Sequence, residues 1–361
     1  MSTDKLRIRA GGLDLKNPVI AGSGEATMTA DGIRAALRAG VGAVIAKSAN
    51  ESQGARDQLN HTDYLLFDSR WNPLPWNDKP PPDAQLFCRS GLQPQPFDQW
   101  VETLATVDRE ARAMGSYVVG SLILNNVDEC IRMAREMEQA GLPAIDVLVA
   151  AVHGEQAARG AIAMVRDTQG VTDVVSKLRA AVKIPLWIKL PGQVEDVSRL
   201  AEAATSAGAD AVNFIDRTLA MVPDIETRAP FLGTIAAIGG SWSLAVTCRW
   251  LAYTRKRLGA DCHVIGTNGC RDGYDVVRML LAGARAAEMT SAVMVQGPQI
   301  LRQSIEELSG YLDRHGVTVE QIVGEAADKL TAYTDQPSRP GYWQNFIHPE
   351  SRSPSTPGVN S

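Results

Sequence analysis

Residues His263–Ser291 read HVIGTNGCRDGYDVVRMLLAGARAAEMTS. A short run, HVIGTN, is followed by a segment of helical period, GYDVVRMLL, an Ala-Gly stop and a second short run, AAEMTS. This is the pattern of two parallel strands joined by a crossover helix. Working outward, the same alternation recurs toward the N-terminus. Candidate strands are Pro18–Gly24 (PVIAGSG), Ala43–Lys47 (AVIAK), Tyr117–Leu122 (YVVGSL), Ala144–Ala150 (AIDVLVA), Pro185–Leu190 (PLWIKL) and Ala211–Asp216 (AVNFID), with His263–Asn268 and Ala286–Ser291 completing the set. Amphipathic helices are expected over Gly32–Arg38, Val127–Ala140, Val194–Ala207 and Gly273–Leu281, each ending in or near a glycine. Eight such units specify an α/β fold, the (β/α)8 TIM barrel. The rival, a doubly wound open sheet, is disfavoured because the first strand lacks a GxGxxG turn and no Pro/Ser-rich linker divides the chain.

Leu6–Asn17 is expected to form a β-hairpin turning at Gly11-Gly12 and to plug the barrel floor. Residues 49–100, rich in Pro, Asn and aromatics, form a long excursion after the second strand, expected to be a lid or interface arm. The expected organisation is one cofactor-binding domain over 1–335 and a partly disordered tail over 336–361.

The chain has 361 residues, with 36 Lys and Arg against 41 Asp and Glu, a formal net charge of −5. No basic block accompanies that balance, which argues against nucleic acid or an anionic membrane as partner. No apolar run approaches the roughly 20 residues that span a bilayer, and MSTDKLRIRAGG lacks a signal-peptide core. A cytoplasmic protein is expected. Five dispersed cysteines without a CxxC pair, and five histidines without HxH or HExxH spacing, announce no disulfide framework, cluster or metal site.

In a barrel the site lies at the carboxyl ends of the strands. Two lysines, Lys47 and Lys189, close apolar strands there. Each must place its ammonium beside an anion, a polar ligand or solvent; either it snorkels, or both meet a flavin whose reduced ring carries negative charge. The turn Gly266–Gly269 and the end Thr290-Ser291 belong to the last two strands, where barrels bind phosphate. Taken singly, each is equally well an ordinary strand-to-helix turn.

Together these segments resemble the FMN-dependent dihydroorotate dehydrogenase and dihydropyrimidine dehydrogenase barrel superfamily, over about Leu6 to Thr334. The carriers are LKNPVIAGSG, AVIAKS, IPLWIKLPG and GTNGCRDGYDVVRMLLAGARAAEMTSAVMVQGP. The resemblance implies FMN as cofactor. It places Ala21, Gly22 and Ser23 against the flavin ring, Lys47 and Ser48 in contact with it, and Lys189 beside its pyrimidine edge in a catalytic role. Gly239 and Gly240 match a flavin-contacting turn, and Gly269, Cys270, Thr290 and Ser291 take the phosphate positions. Oligomerisation, most simply a homodimer, is implied too. With no cluster motif or NAD fingerprint in the chain, electrons are expected to pass to a small acceptor, oxygen or a separate electron-transfer chain.

The departures from the family pattern fall on the substrate side. The family's loop after the fourth strand, roughly Asn-Leu-Ser-Cys-Pro-Asn, supplies a Cys or Ser base; here the stretch is Leu148–His153, and Ala151 occupies the base position. An Asn-Thr/Ser pair after the sixth strand becomes Asp216-Arg217. His153, two residues beyond the missing base, either replaces it or packs structurally. Asp216 and Arg217 either bind a carboxylate or amide substrate or pair with neighbours, and Asn125 is a candidate polar contact. Cys88 on the excursion is either a substitute base or a small apolar wall.

The expected activity is hydride transfer between flavin N5 and a C–C or C–N bond of a small polar, cyclic or amide-bearing metabolite. The alternatives are a flavin-dependent oxygenase or reductase that needs no base, and a non-catalytic barrel subunit of a larger complex.

Overall fold

The computed structural model describes residues 3–76, 80–81, 83–149, 163 and 165–351. It contains a closed eight-stranded parallel barrel. The strands are β1 (Val19–Ala21), β2 (Ala43–Ile45), β3 (Tyr117–Ile123), β4 (Ile145–Leu148), β5 (Leu186–Lys189), β6 (Ala211–Phe214), β7 (Val264–Thr267) and β8 (Ala286–Met289). Each pairs with its sequence neighbours, and β8 closes the ring on β1 through Ala287 opposite Val19. All eight expected strands are the barrel strands, and the open-sheet rival is excluded. The runs read as nearly continuous apolar stretches because side chains on both faces are buried, inward in the barrel and outward under the helices.

The expected helices form at Ala30–Arg38, Val127–Gln139, Val197–Ser206 and Gly273–Leu281. Their starts are fixed by side-chain caps: the Asn126 oxygen accepts from the Asp128 and Glu129 N–H groups, and Asp272 accepts from Asp275. Gly283, at φ +112°, supplies the left-handed residue that ends the last of them before β8.

The N-terminal hairpin pairs Ile8–Ala10 with Leu13–Leu15. Its turn is pinned beneath the barrel: Trp187 Nε1 on β5 donates to the Gly11 carbonyl at 2.7 Å, and the Gly11 N–H donates to His263 Nδ1 at 2.9 Å. A Cβ at position 11 would collide with the Trp187 indole, so glycine is required for this approach.

The excursion after β2 is built of regular structure. It contributes strands Asp63–Phe67, Pro73–Leu74 and Gln85–Arg89 to a five-stranded antiparallel sheet. The other two strands, Thr218–Ala220 and Ala236–Gly239, come from a second excursion after β6, and Ala237 pairs with Cys88 across the junction. The strand QLFCR alternates: Phe87 packs with Phe67, Val222 and Ile238 on one face, while Leu86 and Cys88 pack with Leu66 and Ala237 on the other. This period-2 signal is only five residues long and is hidden between Pro-rich turns.

The chain divides into two compact units, Met1–Asp328 and Lys329–Ser361. In the second, Tyr333–Asp335, Tyr342–Phe346 and Pro349–Ser351 form short 3-10 turns. No helix among the described residues is long and apolar enough to cross a membrane.

Candidate active site

A cleft of roughly 1000 Å3, counting its open mouth, lies over the carboxyl ends of the barrel strands. The sequence-derived candidates Ser23, Lys47, Ser48, Lys189, Asp216, Arg217, Gly239, Gly269, Cys270, Thr290 and Ser291 all line it. Its roof is the inner face of the five-stranded sheet, with Leu86, Cys88 and Ala237 turned toward it. Both excursions therefore complete one cavity.

The remaining candidates lie nearby or elsewhere. Ala21 is fully buried in β1. Gly22 sits against the end of β8, where a Cβ would collide with the Thr290 hydroxyl and the Glu288 carboxylate. Gly240 follows the roof strand and precedes the 3-10 turn Ser241–Ser243. Asn125 lies outside the lining, its amide donating to Glu51 Oε1 at 2.7 Å. His153 and Ala151 fall outside the described residues.

Both strand-end lysines find carboxylates of this chain. Lys47 Nζ lies 3.0 Å from Glu25 Oε1, which also accepts from the Tyr64 hydroxyl at 2.8 Å. Burial pushes the Lys47 ammonium below its ordinary value; Glu25 offsets this only in part, and Arg217 adds a smaller repulsion. Burial alone would raise Glu25, but the Lys47 charge and the two hydrogen bonds outweigh it and hold this carboxyl below its usual range.

Lys189 is buried between two carboxylates, 2.9 Å from Glu288 Oε1 and 3.5 Å from Asp146 Oδ2. Burial opposes its charge, yet Asp146, Glu288 and Asp216 together raise its pKa above the ordinary lysine value. Asn213 on β6 donates to Glu288 Oε2 at 2.6 Å. Asp216 is raised by burial, against the pull of Arg217 and Lys189. Burial likewise pushes the Cys88 thiol up to about 11, so it is protonated at neutral pH. In this state Cys88 packs as a wall of the cavity with Leu86 and Ala237.

Glu25, Asp146, Asn213 and Glu288 were not among the sequence-derived candidates. Their signal was present: each of the last three interrupts an otherwise apolar strand (AIDVL, AVNF, AAEM), and an ionised or amide group in a barrel strand needs a buried partner.

On the phosphate side, Gly269 holds φ +98°, and a Cβ there would collide with the Leu244 backbone. The Asn268 Oδ1 accepts from Ser243 at 2.9 Å, while its Nδ2 is buried with no hydrogen-bond partner. The helix Ser291–Gln296 starts at the cleft without a side-chain cap. Among the described residues no group of three or more His, Cys, Asp or Glu could hold a metal ion.

A barrel with a cleft at its strand ends, entered by two paired lysines, is the architecture of the α/β-barrel enzymes. Comparison with known proteins makes the class specific. The dihydroorotate dehydrogenase family profile matches residues 70–312, and the chain belongs to that family of oxidoreductases. It is 26% identical over 327 residues to the protein named dihydroorotate dehydrogenase B (NAD(+)), catalytic subunit, of Methanocaldococcus jannaschii, covering 89% of this chain and 98% of that protein. The like-named protein of Methanocella arvoryzae is 29% identical over 327 residues, with 89% and 98% coverage. That of Bacteroides fragilis is 30% identical over 226 residues, 62% of this chain and 69% of that protein. The fold matches a DHODH of Eimeria tenella, solved in complex with ferulenol, at TM-score 0.69 and 14% identity over 89% of this chain and 88% of that one.

Proposed function

We propose that this family member is an FMN-dependent oxidoreductase acting on a C–C or C–N bond of a small polar, cyclic or amide-bearing metabolite. The observation that carries the reading is the convergence of Lys47, Lys189, Gly269, Thr290 and Ser291 on one cleft at the strand ends. The residues fit the cofactor. Asn268 offers a buried donor that no protein group satisfies, Gly269 leaves the backbone open to close approach, and the Lys189 ammonium has three N–H groups for two carboxylates.

When bound, FMN supplies a two-electron hydride acceptor. The chain's own residues supply the rest. Ser23, Ser48 and Lys189 line the strand-end wall and orient a planar group there. Leu86, Cys88 and Ala237 cover the cleft from above and exclude water. Arg217 and Asp216 present a donor and an acceptor to a polar substrate, and Arg217 is steadied by donating to Ser90 Oγ. Gly239 and Gly240 pass the cleft without side chains.

Reconstitution with FMN followed by desalting tests the reading. A retained visible flavin spectrum is expected, and a colourless protein would overturn it. Anaerobic bleaching by a panel of reduced cyclic amides then names the electron donor. The relatives' names as catalytic subunits support a separate electron-transfer chain as partner, and we extend the reading to a cytoplasmic homodimer over a single barrel domain.

A further inference from the structure

Asp146 and Glu288 share Lys189 but are satisfied unequally. Glu288 accepts from Lys189 Nζ at 2.9 Å, from the Ser23 N–H at 3.3 Å, from the Thr290 hydroxyl at 3.5 Å and from Asn213 Nδ2 at 2.6 Å. Asp146, 1% exposed, has far less. Its Oδ2 lies 3.5 Å from both Lys189 Nζ and Ser121 Oγ. Its Oδ1 is buried without a hydrogen-bond partner, and Asn213, whose amide donates at 2.6 Å to Glu288, is the other polar group that favours its charged form. A buried carboxylate this poorly solvated by its neighbours takes up a proton more readily than a well-solvated one.

From Asp146 a row of hydroxyls leads outward. Ser121 Oγ, which donates to Asp146, is 2.7 Å from Ser48 Oγ, and Ser48 Oγ is 3.0 Å from Ser23 Oγ. Ser23 and Ser48 line the cleft. Each hydroxyl can donate to one neighbour and accept from the other, so the row conducts a proton in either sense.

We propose that Asp146 is the proton store of this site, reached from the cleft through Ser23, Ser48 and Ser121, and taking the load that falls on a Cys or Ser base where one is present. This rests on the oxidoreductase reading above. In the step, the substrate loses a hydride with its electron pair to the flavin of that reading and a proton to Ser23 Oγ. Ser23 gives its own proton to Ser48, Ser48 to Ser121, and Ser121 to Asp146 Oδ2. Each O–H bond broken is matched by one formed, no electrons enter the row, and the carboxylate ends as a neutral acid. The reverse sequence returns the proton to water at the open mouth of the cleft.

The groups facing Asp146 are Lys189 from β5, Glu288 from β8, Asn213 from β6 and Ser121 from β3. Burial, with Glu288 adding to it and Lys189 opposing, lifts the Asp146 carboxyl to about 6, near the range suited to a proton acceptor at neutral pH.

Infrared difference titration of the full chain, between about pH 4 and 8, tests the store. A carboxylic-acid carbonyl band titrating near neutrality is expected, lost in Asp146→Asn and kept in Asp216→Asn. Mixing with D2O tests the row: in Ser121→Ala the band persists, but its deuterium shift develops severalfold more slowly. If Asp146→Asn does not fold, Asp146→Glu carries the assignment by moving the band. No band in the unmodified protein, a band that survives Asp146→Asn unchanged, or exchange in Ser121→Ala as fast as before would overturn the proposal. None of these readouts needs flavin. A colourless protein that shows the band would sink the cofactor reading alone, and a yellow one without it would sink this inference alone.

Discussion

Two lysines close two barrel strands and meet very different surroundings. Lys47 pairs with a single carboxylate, Glu25, whose side chain is 22% exposed and holds a tyrosine hydroxyl as well. Lys189 meets two carboxylates, each at most 2% exposed. One pair is balanced and near the mouth; the other cluster carries an excess negative charge inside the barrel. A lysine at a strand end therefore says little by itself. The count of carboxylates facing it decides whether the site holds a fixed cation or a group that exchanges protons.

The largest expected effect follows from breaking the deep cluster. Lys189→Met leaves Asp146 and Glu288 buried without a cation and should cost about 3–5 kcal/mol of stability, read as a lowered denaturant midpoint. Adding Glu288→Gln to it should recover part of the loss. Lys47→Met leaves Glu25 with Tyr64 and some water, so about 1–3 kcal/mol is expected. Equal losses in the two single variants would break the comparison.

Dependence on pH sharpens it further, because the two sites have opposite signs. Glu25 is depressed in the folded chain, so its contribution is full above the ordinary carboxylate value and is lost as pH falls through the lowered one. Asp146 is raised to about 6, so the folded chain binds more protons than the unfolded one below that value. Stability from Asp146 should therefore fall as pH rises from the ordinary carboxylate value to about 6. Denaturation of the unmodified protein should show two limbs of opposite sign: one above the ordinary carboxylate value that Asp146→Asn removes, and one below it that Glu25→Gln removes. The smallest effect belongs to Tyr64→Phe, which removes one bond to Glu25 and should cost about 0.5–1.5 kcal/mol. It should also move the acid limb of the stability curve to higher pH.

The barrel was readable because parallel strands buried on both faces leave contiguous apolar runs, and AVIAK or PLWIKL cannot be mistaken for solvated chain. The floor hairpin was readable from Gly11-Gly12, which the structure requires for the approach of Trp187. On the rim, strand-end position alone brought Lys47, Lys189, Gly269 and Ser291 to one cleft. The partners were harder. Glu25 follows β1 in a turn without periodicity, and its meeting with Tyr64 depends on a sheet assembled from two distant excursions. Asp146 and Glu288 sit on opposite sides of a closed ring, and only closure brings both to Lys189. The roof strands leave little trace in the sequence because their pairing is long-range, and five-residue alternations between prolines carry little local signal.

That roof has a consequence for chimeras. The excursions after β2 and β6 share one hydrogen-bonded ladder, with Ala237 to Gly239 paired to Leu86 to Cys88. Neither is a self-contained module. Grafting one without the other would leave an open strand edge ready to pair with another chain, so a recombinant that exchanges substrate preference between relatives should carry both segments or neither.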